Sequence, residues 1–305
     1  MNKYLIARKL IQTFLLTLVV ATIIYVVYKL IPAPAYLSSE YSLVGGKWNL
    51  AGFIEYLKNM FTFNFGNDYS TGNTVWFELG AALPYTFLLF GVSGALAFMI
   101  GIPLGIVTAW VRRTKKETAL LVSSNAISAI PFFVLAIWLV LYFTFLKPVF
   151  PPSDTVMKLS WLWSQPLRAA YYLFLPMSTL VIIEASAHVL TTRAAVVGVL
   201  GEDFIMTARA KGVPESRVMF RHVARNAMIP ISARMALEFA ILMNGAVIVE
   251  IIFSYPGIGH LLYNATLHFD YSLAEAALFV LSLVTIISYA VVDFIHMWLD
   301  PRIKV

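Results

Sequence analysis

The 305-residue chain contains no cysteine. That excludes a disulfide framework, thiolate metal sites, iron–sulfur clusters and a cysteine nucleophile. Charge is scarce as well: Asp, Glu, Lys and Arg make up 12% of residues, against about 25% in soluble globular chains. No G-x-x-x-x-G-K-[ST] phosphate loop occurs, since Gly45-Gly46-Lys47 lacks the earlier glycine, so nothing of this kind cradles ATP phosphates. Neither H-E-x-x-H nor G-x-S-x-G is present, which removes two intramembrane hydrolase chemistries. His296 and Asp300 lie four apart, but no nucleophile accompanies them.

What is abundant is apolar surface, at 60% of residues and a mean hydropathy of +0.80. A soluble 34.1 kDa core could not hide that much, so the composition specifies an integral membrane protein. Six runs are long enough to span: Leu10–Ile31, Leu79–Val111, Thr118–Leu146, Ala170–Val199, Met228–Tyr255 and Leu273–Leu299. They are apolar all round, which argues against the ten-residue alternation of a β-barrel. The first follows Lys3, Arg8 and Lys9 like a signal peptide, but its run is too long and lacks a clear cleavage site, so it reads as a retained helix.

Basic residues orient the bundle. With the N-terminus inside, fifteen fall on inner segments and six on outer ones, so the positive-inside rule puts both termini in the cytoplasm. The net charge of +6 is therefore a topology signal and not a nucleic-acid patch. The expected fold is all-α, with six transmembrane helices. Residues 1–78 would hold the first helix and an extracytoplasmic loop; residues 79–305 would form a five-helix core.

Two connections are too long for turns. The outer stretch Pro32–Glu78 carries an amphipathic run, Phe53–Phe63, and reads as a docking element or a solvated connector. The inner stretch Leu200–Ala227 is the most polar part of the chain. Glu202 and Asp203 suit a helix start, Lys211 and Gly212 a helix end, and Pro214 a new start. Two short helices with a break at Gly212 are expected. Phe204, Ile205, Met206, Val218, Met219 and Phe220 are apolar where water should be, which suggests docking of a soluble partner.

The segment Glu202-Asp-Phe-Ile-Met-Thr-Ala-Arg-Ala-Lys-Gly212, with Arg221-His-Val-Ala-Arg-Asn-Ala-Met-Ile-Pro230, closely resembles the cytoplasmic loop of ABC importer permeases. The similarity is to the first-permease type of the dipeptide, oligopeptide and nickel branch. The family's Glu-Ala-Ala triplet falls here on Met206, Thr207 and Ala208, so its leading glutamate is absent. Leu83-Pro-Tyr-Thr-Phe-Leu, Gly101-Ile-Pro-Leu-Gly105, Val249-Glu-Ile-Ile-Phe-Ser-Tyr-Pro-Gly-Ile-Gly259 and Leu299-Asp-Pro-Arg302 also resemble family stretches. Pro32-Ala-Pro-Ala35 departs from the usual Pro-Gly-Asp-Pro.

The resemblance implies a transport subunit rather than an enzyme. Its partners would be a second homologous permease, two ATPase subunits and an extracytoplasmic substrate-binding protein, in a bacterial or archaeal cell membrane. The chain itself would hold no cofactor or metal, with ATP and Mg bound by the ATPases. Coupling would run through Glu202, Asp203, Thr207, Ala208, Arg209, Ala210, Lys211, Gly212, Arg217 and Arg221. Peptides are the first substrate, with oligosaccharides or nickel as alternatives.

Charged groups within spans are costly, at roughly 2.5–3.5 kcal/mol each. Glu184 and His188 share a face of the fourth run, and Arg234 and Glu238 a face of the fifth, with Asn244 beyond. Glu184, His188 and Asn244 are candidates for a translocation lining; the alternative is charge pairing within the bundle. Glu250 is expected to reach water. His260, His268 and Asp270 could suggest nickel or zinc, but their spacing fits no recognised ligand pattern. Gly101 and Gly105 allow close helix packing against the chain's own bundle or a partner; Pro103 and Pro131 should kink their helices. An ion-coupled secondary transporter would call for an internal repeat and paired broken helices, and the sequence has neither by inspection.

Overall fold

The computed structural model describes residues 3–31, 49–151 and 157–299; the side chains of 3–5, 229, 233–242, 244 and 292–299 lie outside the described residues. Asn244 and the Arg234–Glu238 pair therefore fall outside what can be placed, as do the side chains of Asp293 and His296 and the ending Asp300–Arg302. Among the described residues the fold is all-helical, with one isolated bridge between Asn67 and Thr74.

The first helix, α1 (Lys3–Leu30), is followed by a shorter α2 (Leu50–Phe61). Along α1, Thr13, Thr17 and Thr22 return their hydroxyls to the carbonyls four residues back, at 2.8–3.0 Å. Polar groups satisfied within the helix suit an apolar surround. Asn49 caps α2 by accepting the Ala51 N–H at 2.9 Å. Tyr56 and Met60 are its buried face.

The long helix α3 (Val75–Trp110) and its neighbour α7 (Pro166–Leu200) make the most extensive contact in the molecule. A Cβ at Gly101 would sit 2.5 Å from the His188 Cβ, and one at Gly105 would sit 2.5 Å from the Thr192 Cβ. The G-x-x-x-G pair thus closes the chain's own bundle, because only a bare Cα fits there.

Between them lie α4 (Lys115–Ser128), α5 (Phe132–Val140) with a π-helical extension Leu141–Leu146, and a short α6 (Trp161–Ser164). The continuous run Thr118–Leu146 is in fact a broken pair, bent by 87°. Pro131 lacks an N–H and disfavours helical geometry at Ile130, so the kink expected there becomes a full break.

After α7 come α8 (Asp203–Ala210) and α9 (Glu215–Arg217), which passes through a π-helical stretch, Val218–Val223, into α10 (Ala224–Ile252). The second short loop helix is thus not separate. It is the first turns of the fifth long helix, because helical geometry continues from Glu215 to Ile252 without a break. Pro230 is carried inside α10. A final pair, α11 (Ile258–Leu267) and α12 (Tyr271–Leu299), closes the described part of the chain. Four helices are long and apolar enough to cross a membrane, or five if the bent pair is one span, among the described residues.

Among the described residues, two hydrophobic clusters stabilise the bundle. The larger joins α1, α2, α3, α7, α10, α11 and α12. The smaller, at the end bearing α8, gathers Ile106, Val196, Leu200, Ile205, Val218 and Val223.

Candidate coupling surface and the opposite end of the bundle

Helix α8 begins at Asp203, where a carboxylate favours the positive helix end. Its close is a Schellman turn: Gly212 N–H donates to Arg209 O at 2.9 Å and Val213 N–H to Ala208 O at 3.3 Å. That geometry needs a left-handed residue after the cap, and Gly212 has φ +74°. The break expected from sequence lies where it was placed. Arg209 on α8 makes a bidentate pair with Glu215 on α9, through Nε to Oε2 at 3.1 Å and Nη2 to Oε1. The bond from Arg209 holds the Glu215 carboxyl below its usual range, and Glu215 raises the guanidinium in turn.

The six apolar loop residues divide. Ile205 and Val218 are fully buried and Met219 nearly so, which roots the loop in the smaller cluster. Phe204, Met206 and Phe220 stay 43%, 64% and 53% exposed. A docking role for all six is therefore corrected: three are anchors, three are surface. The reason is local, since one face of an eight-residue helix must cover the bundle end. Phe220 packs edge-on against Trp110 at 5.2 Å. Of the expected coupling residues, Glu202, Asp203, Thr207, Arg209, Ala210, Lys211, Gly212, Arg217 and Arg221 are exposed, while Ala208 is buried.

Beside this surface, Arg193 of α7 reaches Glu117 of α4 with Nη2 at 2.6 Å and Nε at 3.1 Å. Thr114 caps α4 by accepting the Glu117 N–H. Glu117 also accepts the Arg113 N–H, so one carboxylate fixes the α3–α4 turn and ties it to α7. Sequence reading missed it; a Thr-x-x-Glu capping pattern at 114–117 was the available signal.

Glu184 and His188 are 4% and 3% exposed, with His188 stacked on Phe98 at 4.4 Å. In this conformation both sit within the single chain's packing rather than on an open face.

At the opposite end, two of the resemblance-bearing stretches meet. The Ile258 N–H donates to Thr86 Oγ1 at 2.8 Å, and the Tyr255 hydroxyl donates to the Tyr85 carbonyl at 3.1 Å. Glu250 does not reach water. It is fully buried, and its Oε2 accepts the Gly259 N–H at 2.7 Å in the first turn of α11. A Cβ at Gly257 would lie 2.3 Å from that carboxylate, so the Pro-Gly-Ile-Gly run is shaped to admit it.

Asp68 and Asp270 form a second buried junction, 3% and 1% exposed. Asp68 Oδ1 accepts from Ser70 N and Oγ at 2.7 Å, and Asp270 Oδ2 accepts from Tyr69 N at 2.7 Å. Burial, then the bond to Asp68, pushes the Asp270 carboxyl up to about 6. Burial also acts to raise Asp68, but bonds from Asp270, Ser70 and Thr71 outweigh it and bring it to about 2. The pair shares a proton between those limits. Asp270 is thus committed to Asp68 and the α12 start, not to His260 and His268; no metal cluster exists among the described residues.

The structure thus combines a long-helix bundle with a rooted, turn-closed helix displayed at one end. The chain belongs to the family of binding-protein-dependent transport system inner membrane components, whose model matches residues 101–305; it is an ABC importer permease. It is 32% identical over 253 residues to the glutathione transport system permease protein GsiC of Escherichia coli K12, covering 83% of this chain and 78% of that one. It is 30% identical over 250 residues to a protein named as a peptide transport system permease of Brucella abortus, covering 82% and 78%. An inward-facing structure of the MetNI methionine ABC transporter shares the fold, with TM-score 0.60 over 73% of this chain and 97% of that one, at 15% identity.

Proposed function

We propose that this chain is one permease half of an ATP-driven peptide importer. It would span a cell membrane six times with both termini inside, pair with a second homologous permease, and seat α8 in a cleft of one of two ATPase subunits. An extracytoplasmic binding protein would deliver the substrate, with residues 1–78 nearest to it and 79–305 forming the core. The observation that carries this reading is the construction of α8: Ile205 roots it, Gly212 closes it, and Phe204 and Met206 are left exposed beside it.

Such a helix transmits force because its base is packed and its face is free. Closure of the ATPases would move α8, and the smaller cluster would pass that shift into α3, α7 and α10 as one body. Glu184 and His188 are assigned to packing of the α3–α7 seam, given their burial. Peptide as cargo is supported by the names of the two relatives.

The test is Gly212→Pro in the assembled transporter, with uptake of a labelled dipeptide as the readout. Proline fixes φ near −65°, against +74° here. Uptake should fall at least tenfold while the complex still assembles; full uptake would remove α8 as the coupling element.

A further inference from the structure

At the end opposite α8, the helices α1, α2 and α12 line a cleft of about 490 Å³. Its wall carries two buried polar groups in search of partners. Glu275 is 2% exposed, and no hydrogen-bond donor reaches its carboxylate among the described residues. Tyr56 is equally buried, and its hydroxyl is also without a partner. Leaving the Tyr56 hydroxyl dry and unpaired is costly, and Glu275 turns its carboxylate to the cleft beside it. The charge is offset by Lys29, which lines the same cleft, but the carboxylate's hydrogen-bonding capacity is not.

Aromatic surface surrounds this acid. The Tyr25 and Tyr56 rings lie 5.1 Å apart at its side, and Asn49, Asn59 and Asn64 bring amides to the rim. A carboxylate and a hydroxyl accept hydrogen bonds from an ammonium, while tyrosine faces attract its charge. We propose that the cleft binds a primary ammonium group, held by Glu275 and Tyr56 against the tyrosine rings. The asparagine amides suit a polar remainder, so the ligand is a primary amine with a polar remainder. An ethanolamine phospholipid headgroup and a free amino compound share that chemistry.

The experiment measures binding rather than uptake, so it stands or fails apart from the import reading. The assembled transporter is placed in phosphatidylglycerol nanodiscs with or without phosphatidylethanolamine. Native mass spectrometry counts retained lipid, and equilibrium dialysis measures labelled ethanolamine. Retention of phosphatidylethanolamine that drops about tenfold in Glu275→Gln identifies the lipid source; saturable ethanolamine binding lost in the same variant identifies the free amine. Tyr56→Phe keeps the ring and should weaken either signal several-fold, and it carries the test if Glu275→Gln fails to assemble. If neither probe separates wild type from these variants, including because residues of the chain itself occupy the cleft, the proposal is overturned.

Discussion

At the scale of single residues, the buried acids do structural work that depends on protonation. The Asp68–Asp270 pair keeps one proton between about pH 2 and about pH 6, whereas both carboxyls ionise near 3.9 in an unfolded chain. Below that unfolded value the unfolded state binds more protons, so stability rises with pH. From there to about 6 the folded state binds more, and stability falls as the shared proton leaves. The hairpin around Asn67–Thr74 should therefore loosen from the α12 start as pH rises from 5 to 7. Amide exchange at Tyr69 and Leu273 reports it, since both N–H groups donate to Asp270. Asp270→Asn should flatten that dependence and slow exchange at pH 7. An unchanged slope would mean the pair does not share a proton. None of this was legible in the sequence, because Tyr69 and Asp270 are 201 positions apart and neither acid belongs to a recognisable motif.

At the scale of elements, legibility followed length. The long apolar runs located the second, fourth and last long helices within about four residues, because lipid requires about 20 consecutive apolar positions. But α1 begins seven residues before its run, the third run is two helices, and the fifth helix begins well before Met228. Pro131 announced a kink but not its 87° magnitude, which depends on how α5 packs on α7 and α10. The loop helix was found from its caps, yet its buried and exposed faces were not, since eight residues carry too little periodicity. Gly101 and Gly105 were visible as a pair without a partner, and α7 proves to be that partner. A side chain at Gly105 should prise the two helices apart. Gly105→Val is expected to destabilise the fold by about 1–3 kcal/mol and to lower the yield of assembled, detergent-stable transporter. Gly91→Ala on the same helix meets nothing within 4 Å and should leave the yield unchanged. Equal loss in both would place the fault in α3 itself rather than in its seam with α7.

At the scale of the whole molecule, the bundle divides its labour by end. One end displays a surface mounted on a packed base, with Arg193 and Glu117 fastening α7 to α4 beside it. The other is locked by Glu250, Thr86 and Asp270, which hold the α10–α11–α12 connections to α3 and to the hairpin before it. In the proposed importer, a bundle so fastened would move as a unit when one end is pushed. The central claim is that the push enters through the exposed face of α8. The absence of cysteine makes it directly testable, because any introduced thiol is unique in the chain. Met206→Cys and Ile205→Cys would each be paired with a cysteine in the ATPase cleft and oxidised in native membranes. Met206→Cys should cross-link, with a yield that changes on adding ATP, and Ile205→Cys should not, because Met206 is exposed and Ile205 is buried. Cross-linking of both alike, or of neither in an assembled complex, would contradict the account.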